Sequence, residues 1–155
     1  MHTRDDLNCS RGYEWAVLRE ARKRNGAIKT YGLSWGVPGW IGEGTYYSND
    51  NLDYHLDWLY CASAVQQVPI DFMGIWNERG PDAAWTKALR SALDAGGYDT
   101  TRIVSGDLGW EIATQMAADP ALAEAIDVVG AHYPGQPPPV AYTLNRSLFA
   151  SEMCT

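Results

Sequence analysis

The sequence predicts an α/β fold in which parallel strands are joined by helical crossovers. Helix and strand signals alternate along the whole chain, which is the pattern of parallel strands with crossover connections. The strands read as apolar runs and not as polar–apolar alternation, so both faces are expected to be buried. Polar and aromatic residues gather where several strands end: Trp35, Asn77-Glu78, Asp107, His132-Tyr133 and Glu152. Two architectures fit, a doubly wound open sheet and part of a (β/α)8 barrel. No glycine-rich phosphate loop follows any strand, which weakens the nucleotide-binding sheet. Chemistry gathered at the carboxyl ends of strands suits the barrel.

The elements follow in order. Residues 12–24 read as a helix, with Trp15, Leu18 and Ala21 on one face, Glu20 and Arg24 spaced as an i,i+4 pair, and Asn25-Gly26 as the stop. Residues 27–33 read as a strand ending near Trp35, and a turn-rich loop runs from Gly36 to Gly44. Leu52, Leu56, Leu59 and Tyr60 mark a second helix, and 70–75 a second strand. Pro81 is placed to open a helix carrying Trp85, Ala88, Leu89 and Ala92 on one face, closed by Gly96-Gly97. A strand at 102–105 precedes helical stretches near 110–118 and after Pro120. Residues 126–131 form an almost unbroken apolar strand. The proline-rich loop 134–139 leads to a last strand at 147–151. Five strands fall short of the eight that close a barrel in about 250 residues. The chain therefore reads as a segment of a larger protein, with two open sheet edges, and alone it is expected to be aggregation-prone and inactive.

Composition bounds the partners. With 46% hydrophobic and 20% charged residues the chain is globular and not disordered. A net charge of −7 argues against nucleic acid, because the basic cluster Arg19 to Arg24 sits at a helix end, where it complements the dipole. Seven Trp and nine Tyr against two Phe favour carbohydrate contact, since Trp and Tyr offer a flat apolar face with a polar handle. Trp15, Trp58 and Trp85 lie in helical stretches and read as core. Cys9, Cys61 and Cys154 show no metal spacing and leave an odd thiol. Asn8-Cys9-Ser10 and Asn145-Arg146-Ser147 are glycosylation triplets that matter only in a secretory compartment. No apolar run is long enough to span a membrane.

The run Asp71 to Arg79 carries the most chemistry. An apolar strand ends in Trp76-Asn77-Glu78 and turns at Gly80-Pro81. An Asn-Glu pair after a strand also suits a helix cap or a solvated loop. At the end of a buried strand, though, Glu can donate a proton to a glycosidic oxygen while Asn holds a sugar hydroxyl. The strand-end Trp76 is a candidate platform for a sugar ring. Glu152, after the apolar run Leu148-Phe149-Ala150, is a second candidate carboxylate.

These strings resemble the galactocerebrosidase (galactosylceramidase) family, retaining β-galactosidases of the TIM-barrel glycosidase clan. The likeness runs through Arg11-Gly12-Tyr13-Glu14-Trp15, residues 20–25, Gly32-Leu33-Ser34-Trp35, Pro38-Gly39-Trp40, Gly74 to Arg79, Val129 to Gly135 and Ser151-Glu152. Asn-Glu alone is shared across the clan; Trp-Asn-Glu-Arg followed by Gly-Ala-His-Tyr-Pro-Gly is more specific. The resemblance implies a partial (β/α)8 TIM barrel, about strands 3 to 7, over residues 1–155. The first, second and eighth strands and any accessory domains would be missing. It implies Glu78 as acid/base, Glu152 as nucleophile, and Trp35, Asn77, His132 and Tyr133 as substrate-binding residues. Two departures stand out: Ser34 where the family tends to have Pro, and Met153-Cys154 where it tends to have an acidic-aromatic pair.

The expected reaction is double displacement on galactosylceramide, without metal or organic cofactor, at acidic pH in a lysosomal or secreted protein. A galactosyl lipid or other β-galactoside is the expected partner, and ceramide calls for an apolar surface or a lipid-presenting helper protein. The alternatives are another retaining TIM-barrel β-glycosidase, acting on a glucoside, xyloside or galactan, and a catalytically silent truncated sugar-binding relative.

Overall fold

The protein is described by a computed structural model over residues 3–153. Helices α1 (Glu14–Arg24), α2 (Asn49–Tyr60), α3 (Ala83–Ala95), α4 (Glu111–Ala118), α5 (Pro120–Ala125) and α6 (Pro139–Thr143) alternate with the strands. The strands are β1 (Tyr31–Leu33), β2 (Phe72–Gly74), β3 (Arg102–Ser105), β4 (Val128–His132) and β5 (Ser147–Glu152). All pairings are parallel, and the order β1-β2-β3-β4-β5 places each strand beside its neighbour in sequence. A doubly wound sheet reverses its order at a switch point; none occurs here.

The sheet also curls. Phe72 on β2 and Phe149 on β5 have ring centroids 5.3 Å apart, although β3 and β4 lie between them. On a flat sheet three strand spacings would separate them by roughly 14 Å. Phe72, Val104 and Val128, with Phe149 against them, form the inner cluster. The alternate residues Met73, Ile103 and Val129 face outward, where Leu89, Ile112, Met116 and Leu122 from the helices cover them. This double coverage is why β2 and β4 read as apolar runs, whereas the edge strands β1 and β5 are only partly buried.

Local chemistry sets the boundaries. Glu14 opens α1 and Arg22, Lys23 and Arg24 close it, matching the helix dipole. Glu20 and Arg24 approach only to 4.0 Å, so the anticipated pair adds little. Ser48 caps α2 by accepting from Asn51 N–H, and Asp82 caps α3 by accepting from Trp85 N–H; each is worth about 1 kcal/mol. Pro81 therefore stands one residue outside the cap and does not open α3. The first strand is shorter than expected, because Asn25 to Ile28 form a turn in which Ile28 N–H donates to the Asn25 carbonyl at 3.1 Å. The short helix α6, with Pro139 in its first turn, lies where a loop was expected.

At the amino end of the sheet, the Asp71 carboxylate accepts from Thr30 N–H at 2.9 Å, Thr30 Oγ1 at 3.1 Å and Lys29 Nζ at 2.8 Å. Burial would raise this acid, but the hydrogen bonds led by Lys29 hold it down at about 2. This fixes β1 against β2. A disulfide joins Cys9 to Cys61 across 52 residues, tying the segment before α1 to the end of α2. In the chain-entropy picture such a loop stabilises by about 4 kcal/mol. Cys154 lies outside the described residues.

His55 on α2 is buried among Tyr46, Tyr54 and Trp85, with Nδ1 2.7 Å from the Asn51 carbonyl oxygen. Burial pushes its imidazole down to about 4, against a weaker upward effect of that carbonyl. The unfolded chain takes up the proton near the ordinary 6.5, while the folded state refuses it until about 4. Stability present above pH 6.5 is thus lost as the pH falls through this window, by a few kcal/mol. Thermal melts of the whole protein between pH 7 and 4 are expected to show this decline, and His55→Gln to flatten it. An unchanged slope in the variant would refute the assignment.

Candidate active site

The carboxyl rim of the curled sheet brings together residues scattered over 75 positions of sequence, from Glu78 to Glu152. Glu78 stands on the loop after β2, Asp107 just after β3, His132 at the end of β4, and Ser151 and Glu152 at the end of β5. A β-bulge sets the last two. Ala131 pairs with Ala150, but His132 pairs with Glu152, leaving Ser151 as the extra residue. Strict alternation would turn Ser151 and Glu152 to opposite faces. The bulge turns both toward the site: Ser151 donates to Asp107 Oδ1 at 3.2 Å, and Glu152 Oε1 accepts from the Tyr133 hydroxyl.

The glutamates converge. Carboxylate oxygens of Glu78 and Glu152 and a ring nitrogen of His132 all lie within 4.8 Å of one another. His132 is 3% exposed; its Nδ1 is 3.5 Å from Glu78 Oε1, and its Nε2 is 3.9 Å from Glu152 Oε2 and 2.8 Å from Asp107 Oδ1. Neither nitrogen forms a hydrogen bond of good direction. The three side chains also meet the loose spacing of a metal site. Glu78 and Glu152 keep 52% and 36% of their side chains exposed, so a substrate can reach both.

The backbone is strained at this rim. Glu78 has φ +51°, Asp107 +30° and Tyr133 +43°, values uncommon for residues with a Cβ. Hydrogen bonds hold them. Glu78 N–H donates to Asp107 Oδ2 at 2.7 Å, His132 N–H to the Asp107 carbonyl at 2.6 Å, and Tyr133 N–H to the Glu152 carbonyl at 2.8 Å.

Trp35, on the loop after β1, is 72% exposed and shares an open cleft of about 440 Å³ with Asn77, Glu78 and Arg79. Asn77 N–H donates to the Ser34 carbonyl at 2.9 Å, fixing this loop to the first strand end. His132 and Tyr133 line a second cleft of about 490 Å³, and the Glu78–His132 contact joins the two. Trp76 lines the first of these clefts. Its ring stacks on Tyr46 at 4.0 Å and meets the edge of Tyr47, with Arg79 over it at 5.7 Å. One face is thus packed against the protein, and the ring is half-buried. Sequence places Asp107 among the polar residues at strand ends, by its position after the apolar strand 102–105, but gives it no role, and it gives no signal for Ser151.

A curled parallel sheet that sets two carboxylates face to face at its carboxyl rim is the architecture of the barrel glycoside hydrolases. The chain belongs to glycosyl hydrolase family 59, which it matches over residues 1–155. It is 41% identical over 157 residues to a galactocerebrosidase of Danio rerio, covering 98% of this chain and 24% of that protein. It is 44% identical over 140 residues to a galactocerebrosidase of Canis lupus familiaris, covering 87% and 21%, respectively. It is 32% identical over 126 residues to a putative galactocerebrosidase of Caenorhabditis elegans, covering 79% and 19%. The chain thus spans about a quarter of the length of the first of these relatives.

Proposed function

We propose that the protein carrying this chain is a retaining β-galactosidase that releases galactose from galactosylceramide, with Glu152 as nucleophile and Glu78 as acid/base. The single observation that carries the reading is that an oxygen of each carboxylate lies within 4.8 Å of one on the other, close enough for the shorter of the two known separations. Retaining enzymes hold these groups about 5–5.5 Å apart, whereas inverting enzymes leave about 6.5–9.5 Å for a water.

In the first step Glu152, ionised, attacks the anomeric carbon. The bond to the leaving oxygen breaks as Glu78 gives that oxygen its proton. An ester between the sugar and Glu152 results. Glu78, now a carboxylate, takes a proton from water, whose oxygen attacks the same carbon and releases Glu152. Two inversions leave the configuration unchanged. Asn77 is assigned to the sugar hydroxyl beside the reacting carbon, Trp35 to the ring face, and His132 and Tyr133 to the opposite wall.

The galactosyl lipid is supported by the relatives' names and by the rim itself. Trp35, Leu108, Tyr133 and Met153 are exposed apolar residues on segments that follow the strands, suited to an amphipathic aglycone presented by a membrane surface or a lipid-presenting helper protein. The Cys9–Cys61 disulfide fits an oxidising, lysosomal or secretory setting. Among the described residues no helix is long and apolar enough to cross a membrane.

The test is proton NMR of the first-formed sugar when the whole protein hydrolyses an aryl β-galactoside. The β-anomer is expected before mutarotation. An α-anomer would exclude double displacement, and a preference for aryl glucoside or xyloside would exclude galactose as the sugar.

A further inference from the structure

We infer that Asp107 is a positioning residue for the acid/base, a role that rests on the proposed function of Glu78. Its carboxylate is 9% exposed and engages three elements at once. Oδ2 accepts from Glu78 N–H at 2.7 Å, while Oδ1 accepts from Ser151 Oγ at 3.2 Å and lies 2.8 Å from His132 Nε2. The far nitrogen of the same imidazole faces Glu78 Oε1 at 3.5 Å. Asp107 thus holds the Glu78 backbone directly and stands beside the His132 imidazole that faces the Glu78 carboxylate. The main chain tightens this arrangement further, since the Asp107 carbonyl accepts from His132 N–H at 2.6 Å.

The strain explains why such a hub is needed. Glu78 sits at φ +51°, a conformation that costs of order 1–3 kcal/mol and persists only where its surroundings fix it. A charge-assisted hydrogen bond from its own N–H to a buried carboxylate supplies that fixation. Asp107 is itself at φ +30°, following Gly106 at φ +119°, so the hub is built on a backbone shaped to deliver it. The carboxylate need not touch substrate. It aims Glu78 at the leaving oxygen, and small misplacements of a proton donor are costly to rate.

A residue acting through the acid/base leaves a particular kinetic signature. Its loss slows reactions that need proton donation and spares those whose leaving group departs unaided. In the whole protein, Asp107→Asn is expected to lower kcat on phenyl β-galactoside at least 30-fold with KM within threefold. On 2,4-dinitrophenyl β-galactoside, whose leaving group needs no proton, the loss in kcat/KM is expected to stay under fivefold. The melting temperature is expected to remain within a few degrees of the parent. Equal losses on both substrates, or no loss on either, would overturn the proposal. Should Asp107→Asn fail to fold, Ser151→Ala decides: it removes one bond to Asp107, and a smaller loss confined to the phenyl substrate supports the role, while an even loss or none rejects it. Full activity in Glu78→Gln would instead sink the acid/base reading itself; an active Asp107→Asn beside an inactive Glu78→Gln would sink only the inference about Asp107.

Discussion

Glu152→Gln is expected to abolish turnover of aryl β-galactosides in the whole protein, by at least about 10⁴-fold, whatever the leaving group. An amide cannot form the sugar ester, so an activated leaving group brings no relief. Glu78→Gln should behave differently. It removes proton transfer and costs about 10²- to 10⁴-fold on poorly activated substrates, and a small nucleophile such as azide should restore part of the rate, because the ester on Glu152 still forms. The contrast between the two variants is the measurement. Similar rescue of both by azide with the same product anomer would mean that the roles are misassigned. The geometry favours the assignment made: Glu152 is anchored by the Tyr133 hydroxyl, which donates to its Oε1, and Glu78 stands on the more exposed loop, as suits a group that exchanges protons with a leaving oxygen and then with water.

Gly106→Ala is expected to destabilise the fold by ~3–6 kcal/mol and to remove activity with it. Gly106 has φ +119°, a region in which side chains are strained. A Cβ there would also collide with the Gly130 carbonyl oxygen and meet Ile112 Cγ2 at 2.8 Å, between β4 and α4. Neither neighbour is a flexible side-chain end, so the strand end after β3 must move and carry Asp107 with it. Gly26→Ala is the control, since no heavy atom lies within 4 Å of its Cβ position. Soluble yield and melting temperature of the two variants, compared with the parent, check this; equal values would show that the turn at Gly106 relaxes without cost.

Much of the architecture was legible because period and punctuation are local properties. The apolar runs around Phe72, Val104 and Val129 announced strands buried on two faces, and the strand at 102–105 was found residue for residue. The stop at Asn25 and the close at Gly96-Gly97 mark real helix ends: Asn25 leaves helical geometry at φ −146°, and Gly97 takes the left-handed φ of +78° that favours glycine. Pro81 is a louder signal in sequence than the cap at Asp82, and the five residues of α6 are too few for an apolar spacing to repeat.

The sequence by itself determined an alternating α/β chain, with the two glutamates and several aromatic residues at strand ends. These follow from residue type and spacing along the chain. Only the tertiary structure decided that Trp76 is packed on Tyr46, that Asp107 ties Glu78 to His132, and that the bulge at Ser151 turns Glu152 inward. Curl and bulge arise from how strands distant in sequence pack against one another, and no local pattern encodes the approach of the two carboxylates to within 4.8 Å.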